Sequence, residues 1–141
     1  MLGIGAAFAL WTAGAADLTW QTDLPKALTQ AKTENKLVLL DFTGSDWCPP
    51  CKLLEENTFS QPEFGAYART NLVLVQLDYP NSKPQPADLK AANADLAKKY
   101  GVLGFPTVIA LKSDGTVLGR VEGYLPGGPK AMIAQIDGAK K

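Results

Sequence analysis

Short runs of continuous apolar residues alternate along this chain with longer stretches in which apolar residues recur every three or four positions. Leu37-Val38-Leu39-Leu40-Asp41-Phe42 and Leu72 to Asp78 are near-continuous apolar runs, the pattern of strands covered on both faces. Between and around them lie helical patterns. Asp23-Leu24-Pro25 predicts a helix start, with an N-cap candidate and a proline in the first turn, running through Ala27, Leu28 and Ala31 to about Asn35. Thr43-Gly44-Ser45-Asp46 predicts a loop, and the helix opened by Trp47-Cys48-Pro49-Pro50-Cys51 continues through Leu53, Leu54 and Asn57 before Thr58-Phe59. A second start signal follows at Ser60, with Pro62 and Glu63 in the first turn. Tyr79 to Pro86 carries three prolines and predicts a loop, because proline neither donates to a ladder nor continues a helix.

Ala87 to Tyr100 is again helical, stopped by Gly101. Thr107 to Lys112 and Thr116 to Glu122 predict a hairpin around Ser113-Asp114-Gly115, and Gly127-Gly128-Pro129 starts a last helix reaching about Asp137. The order is β-α-β, then a β-hairpin and a closing helix. It predicts an α/β sandwich with a central mixed β-sheet flanked by helices. No repeat, low-complexity block or interdomain linker interrupts it.

Composition narrows the chemistry. The 141 residues suffice for one domain with a proper core, and 46% apolar with 20% charged residues is ordinary for a globular chain. Fourteen basic and fourteen acidic side chains cancel, with no basic stripe, so no nucleic-acid partner is expected. There is no histidine, which removes the commonest general base and any Cys–His or Ser–His nucleophile arrangement. Leu2 to Ala16 is uncharged, mostly apolar and ends in small residues before Asp17. Residues 1–16 therefore read as a secretory signal peptide, with a short membrane anchor as the alternative, although no basic residue precedes Lys26. Residues 17–141 would form the mature domain. Membrane contact is expected only if that segment stays uncleaved, and a periplasmic or otherwise extracytoplasmic location follows from export.

The only two cysteines are Cys48 and Cys51. One helical turn apart, their Cα atoms would be separated by about 5 Å, inside the window a disulfide requires. Cys-x-x-Cys serves redox and metal sites alike. A thiolate metal site would have two of the four ligands zinc usually takes, so it would need a dimer or carboxylates such as Asp46. No metal and no other cofactor is expected. A structural bridge without turnover is the bland alternative. For redox work, Cys48 at a helix N-terminus would be the exposed attacking sulfur and Cys51 the resolving thiol. Pro49 and Pro50 suit the first turn, and by removing two amides they imply only moderate thiolate activation. Asp41, among Leu39, Leu40 and Phe42, is the candidate acid/base, with a pKa raised by desolvation unless it faces solvent. Glu55 and Glu56 read as a solvated helix face.

Three separated pieces together resemble the thioredoxin superfamily: the strand Leu40-Asp41-Phe42 leading into Trp47-Cys48-Pro49-Pro50-Cys51-Lys52, then Tyr100 to Thr107, and Val121-Glu122-Gly123. Cys51 to Pro62 is similar to exported bacterial members, especially the C-terminal domain of the inner-membrane reductase that carries electrons to the periplasm. The resemblance implies a thioredoxin-like sandwich and a thiol–disulfide oxidoreductase, more as reductant, acting as a monomer on protein disulfides with a partner redox protein. It also implies a cis bond at Pro106, with Trp47, Phe105, Pro106 and Gly123 forming the substrate-binding surface. A binding or chaperone module keeping the fold without redox turnover is the rival reading. Two departures from ordinary thioredoxins stand out. The Asp41–Cys48 interval is one residue longer, and Leu72 to Asp78 holds Gln76 but no lysine, so the proton relay would be tuned differently.

Overall fold

The computed structural model describes residues 18–141, so the targeting segment expected over residues 1–16 lies outside the described residues. A short strand β1 (Trp20–Gln21) precedes helix α1 (Leu24–Glu34) and strand β2 (Leu37–Thr43). Helix α2 (Pro49–Leu54) runs into a π-helical turn (Glu55–Phe59), and helix α3 (Pro62–Asn71) leads to strand β3 (Leu72–Asp78). Helix α4 (Ala87–Lys99), strands β4 (Thr107–Leu111) and β5 (Val117–Glu122), and helix α5 (Gly128–Ala139) complete the chain.

Local chemistry accounts for the boundaries. The Asp23 carboxylate caps α1 by accepting the Lys26 N–H at 3.1 Å, and Asn35 ends it in the left-handed region at φ 54°, a conformation asparagine tolerates. Leu24, Ala27 and Ala31 recur at helical spacing and are buried. Ser60 does not cap α3 as its sequence position predicts. It terminates the π turn instead, donating its N–H to the Glu55 carbonyl at 2.8 Å and its hydroxyl to the Glu55 carboxylate at 3.0 Å. Gln61 takes the N-cap position without a side-chain cap bond. Neither β1 nor the π turn is signalled by the apolar pattern. β1 has two residues, too few for a periodicity, and the π turn inserts one residue into a helix whose apolar positions still fit 3.6 per turn.

The strands form one mixed sheet in the order β1-β3-β2-β4-β5. β2 is parallel to β3 and antiparallel to β4, and β4 pairs antiparallel with β5. The period of two along β2 divides its side chains between two cores. Val38, Leu40 and Phe42 join Val73, Val75 and Leu77 on the side covered by α1. Leu39 joins Leu72, Leu74, Leu54, Phe59 and Phe64 on the side of α2 and α3. Asp41 has the parity of Leu39, so it projects toward the cysteine helix. The expected α/β sandwich with a central mixed sheet is the observed one. Among the described residues no helix is long and apolar enough to cross a membrane.

Candidate active site

Cys48 is the N-cap of α2, with extended backbone at φ −97° and ψ 100°, and its carbonyl accepts the Lys52 N–H at 3.1 Å. Pro49 and Pro50 occupy the first turn, where no intrahelical acceptor is lost to them, and both are exposed. Cys51 follows one turn on, and the two cysteines are joined in a disulfide with Cα atoms 5.3 Å apart. The expected exposed attacking sulfur is not what the structure shows. Cys48 is only 2% exposed and Cys51 5% in the bridged form.

Beside the bridge lies a group of three aromatic rings. Trp47 is 40% exposed. Its indole N–H donates to the Tyr79 carbonyl at 2.7 Å, and its ring meets Phe105 edge-on at 5.8 Å. Tyr79 and Phe105 are themselves 5.0 Å apart. Gly44 makes this placement possible. Its carbonyl accepts the N–H groups of Trp47 and Cys48 at 3.3 and 3.0 Å, and a Cβ on it would fall 2.4 Å from the Trp47 ring. Gly44→Ala is expected to displace the indole, break its bond to Tyr79 and cost about 1–3 kcal/mol. Urea unfolding and a shift in tryptophan emission would measure both effects; an unchanged midpoint would contradict the contact.

The Phe105–Pro106 peptide bond is cis, and Pro106 is buried. Phe42 pairs with Thr107, so antiparallel register sets Pro106 beside Thr43, where the cysteine turn leaves the sheet. The Pro106 carbonyl accepts the Gly123 N–H at 2.8 Å. Gly123 sits at φ 80°, left-handed backbone that glycine adopts without a Cβ penalty. Gly123 thereby acts on Pro106 through its backbone.

Asp41 is 3% exposed and its Oδ1 has no hydrogen-bond partner. Burial, then the charges of Glu55 and Asp78, push its pKa up to about 8. This buried setting overturns the alternative of a solvent-facing carboxylate. Asp41 and Cys51 line one cavity of about 500 Å³ with Glu55, Glu56, Lys52 and Gln76. Glu55 and Glu56 are exposed, as a solvated face should be, yet Glu55 also bears electrostatically on Asp41. Gln76 stands directly across from Asp41 in the β2–β3 register. A neutral amide thus occupies the strand where ordinary thioredoxins place a cation near the aspartate. The link from Glu55 to Asp41 was legible in principle, since Glu55 follows Cys51 by four residues on one helix face. Asp46 offers no metal ligand, since its carboxylate accepts three backbone N–H groups, from Asn81, Ser82 and Lys83, at 2.7–3.0 Å. Among the described residues no cluster of metal-ligating side chains exists.

Residues 24–137 match the family described as Thioredoxin-like domain. The chain belongs to the thioredoxin-like family. Among curated relatives, this thioredoxin-like chain is 34% identical over 127 residues to the disulfide bond reductase DsbH of Chlamydia pneumoniae, covering 90% of the chain and 75% of the relative. It is 40% identical over 105 residues to the thiol:disulfide interchange protein DsbD of Cronobacter sakazakii, covering 73% of the chain but only 16% of that much longer protein. Among solved structures, the DsbH oxidoreductase superposes with a TM-score of 0.83 at 32% identity, over 98% of this chain and 94% of that one. The oxidised C-terminal domain of DsbD from Neisseria meningitidis gives 0.64 at 26% identity, over 86% and 99%. The thioredoxin-like fold is thus shared with proteins named for thiol–disulfide chemistry, and this chain carries a Cys-x-x-Cys pair.

Proposed function

We propose that this protein is an exported thiol–disulfide oxidoreductase that reduces protein disulfides, with Cys48 as nucleophile, Cys51 as resolving thiol and Asp41 as the proton relay. The observation that carries the reading is the Cys48–Cys51 bridge at the start of α2, sharing a cavity with a buried, unpartnered carboxyl. The reducing direction is supported by likeness to a protein named a disulfide bond reductase. Export is supported by the apolar, small-residue pattern of residues 1–16, which we take as a signal peptide preceding the domain 17–141.

In the reduced enzyme the Cys48 thiolate, favoured by the positive end of α2, attacks one sulfur of the substrate disulfide. That bond breaks, the other substrate sulfur leaves with the electron pair and takes a proton, and Cys48 becomes joined to substrate. Cys51 then loses its proton to the Asp41 carboxylate and attacks the Cys48 sulfur, releasing the second substrate thiol. Two electrons pass to substrate and the observed bridge remains. An upstream dithiol reverses these steps, and Asp41 returns the proton to Cys51 as the bridge opens. A carboxyl whose pKa is raised to about 8 can both take up and return a proton near neutral pH, as this role requires. Trp47, Phe105, Pro106 and Gly123 would form the surface on which the substrate segment lies, with no cofactor required.

Cys51→Ser separates the two thiol roles. Mixed with oxidised insulin, the reduced variant is expected to accumulate a covalent adduct through Cys48, visible on non-reducing gels and released by dithiothreitol. Wild-type protein should show none at steady state. Absence of an adduct from the variant would remove the proposed order of attack.

A further inference from the structure

Three consecutive residues before Cys48 each bond either the last residue of β3 or the segment that follows it. Ser45 donates its N–H and hydroxyl to the Asp78 carboxylate at 3.0 and 2.6 Å. Asp46 accepts the Asn81 N–H on Oδ1 at 2.9 Å, and the Ser82 and Lys83 N–H groups on Oδ2 at 2.7 and 3.0 Å. Trp47 closes the series through its indole bond to the Tyr79 carbonyl. The segment Tyr79–Lys83 lies outside any helix or strand; the Tyr79 N–H still reaches the Thr43 carbonyl at 2.9 Å, and beyond it the Asp46 carboxylate gathers three amides in succession. Charge-assisted bonds of this kind are the stronger ones.

We propose that Asp46 is a positioning residue for disulfide exchange, fixing the Tyr79–Lys83 segment so that its carbonyl at Tyr79 and its aromatic ring hold Trp47 in place beside Cys48. The inference rests on the redox reading above and adds to it a residue that touches neither sulfur nor substrate. Tyr79 is the joint between the two parts. Its carbonyl receives the indole, its ring lies 5.0 Å from Phe105, and its hydroxyl is anchored on the Asn93 carbonyl at 2.5 Å. Released from Asp46, Tyr79 keeps its N–H on the Thr43 carbonyl at 2.9 Å and its hydroxyl on Asn93, but residues 81–83 lose the bonds that tie them to the cysteine turn and brace the Tyr79 carbonyl. The amides of Asn81 and Ser82 hold the Asp46 carboxyl down at about 2, so the strap stays charged at any pH where exchange is measured.

The test is a double-mutant cycle on the full chain with Asp46→Ala and Trp47→Phe, read as kcat/KM for insulin reduction at a temperature well below each unfolding midpoint. Trp47→Phe retains a ring but removes the indole N–H. Each single change is expected to lower kcat/KM about tenfold, mainly through KM, since small misplacement of a positioned group costs that much or more. The double variant should be no worse than the poorer single one, because both break the same chain of contacts. Asp46→Ala should also shift the emission of Trp47, taken as the difference from the Trp47→Phe background. Asp46→Asn keeps one carbonyl acceptor and should fall between; it replaces the alanine variant if that does not fold. An Asp46 variant with wild-type kcat/KM, or losses that multiply in the double variant, would overturn the inference. Those outcomes leave wild-type turnover intact, whereas failure of the redox reading would show as no wild-type turnover at all.

Discussion

Cys48→Ser should bring disulfide exchange down to the uncatalysed background, a loss of about a thousandfold or more, because a serine hydroxyl supplies no thiolate and cannot form the mixed disulfide. The variant should fold. Cys48 lies in a small buried space at a helix N-cap, and serine is itself a favoured cap. Insulin reduction driven by dithiothreitol, with circular dichroism as the folding control, decides the matter. Retained turnover in Cys48→Ser would move the chemistry to another residue and dismantle the assignment of this site.

Asp41→Asn should change stability and rate in opposite senses. The folded-state pKa of Asp41 is raised above the ordinary 3.8 to about 8, so between those values the folded protein binds a proton that the unfolded chain does not. Stability therefore falls as pH rises across that window, by about 1.4 kcal/mol per unit, reaching roughly 4 kcal/mol at pH 7. Asparagine never ionises and escapes this loss, though its buried amide carries an unsatisfied-group cost of about 1–3 kcal/mol. The variant is expected to match or trail wild type at pH 4 and to exceed it by about 2–4 kcal/mol at pH 8. Urea unfolding of the oxidised proteins at pH 4, 6 and 8 measures the crossover. A stability difference independent of pH would refute the raised pKa. The resolving step should meanwhile slow by about a hundredfold, within the usual range for loss of an acid/base group.

Much of the architecture was legible because the two central strands are covered on both faces and so read as continuous apolar runs. Proline and glycine punctuated the rest, as at Pro25, Pro62, Gly101 and Gly115. The cysteine pair and its helix were legible for the same reason, since spacing and local geometry are properties of neighbouring residues. What escaped depends on partners far along the chain. Nothing near Asp46 announces that amides 35 to 37 residues away will surround it. The pairing of Gln76 with Asp41 follows from register, which the pattern constrains only in parity. Cys48 is buried in the disulfide-bonded structure, whereas a reading framed around the attacking thiol pointed to the opposite exposure.

Asp41 stands on β2, the one strand whose neighbours on both sides are themselves flanked by further strands. Its backbone hydrogen bonds are shielded from either edge, and such strands open only when the whole domain does. The Asp41 carboxyl is therefore rooted in the strand expected to exchange its amides most slowly. The outermost strands, β1 and β5, can breathe at the margins while the Asp41 carboxyl keeps its place. A domain built this way keeps that carboxyl in place after its edges have already begun to fray.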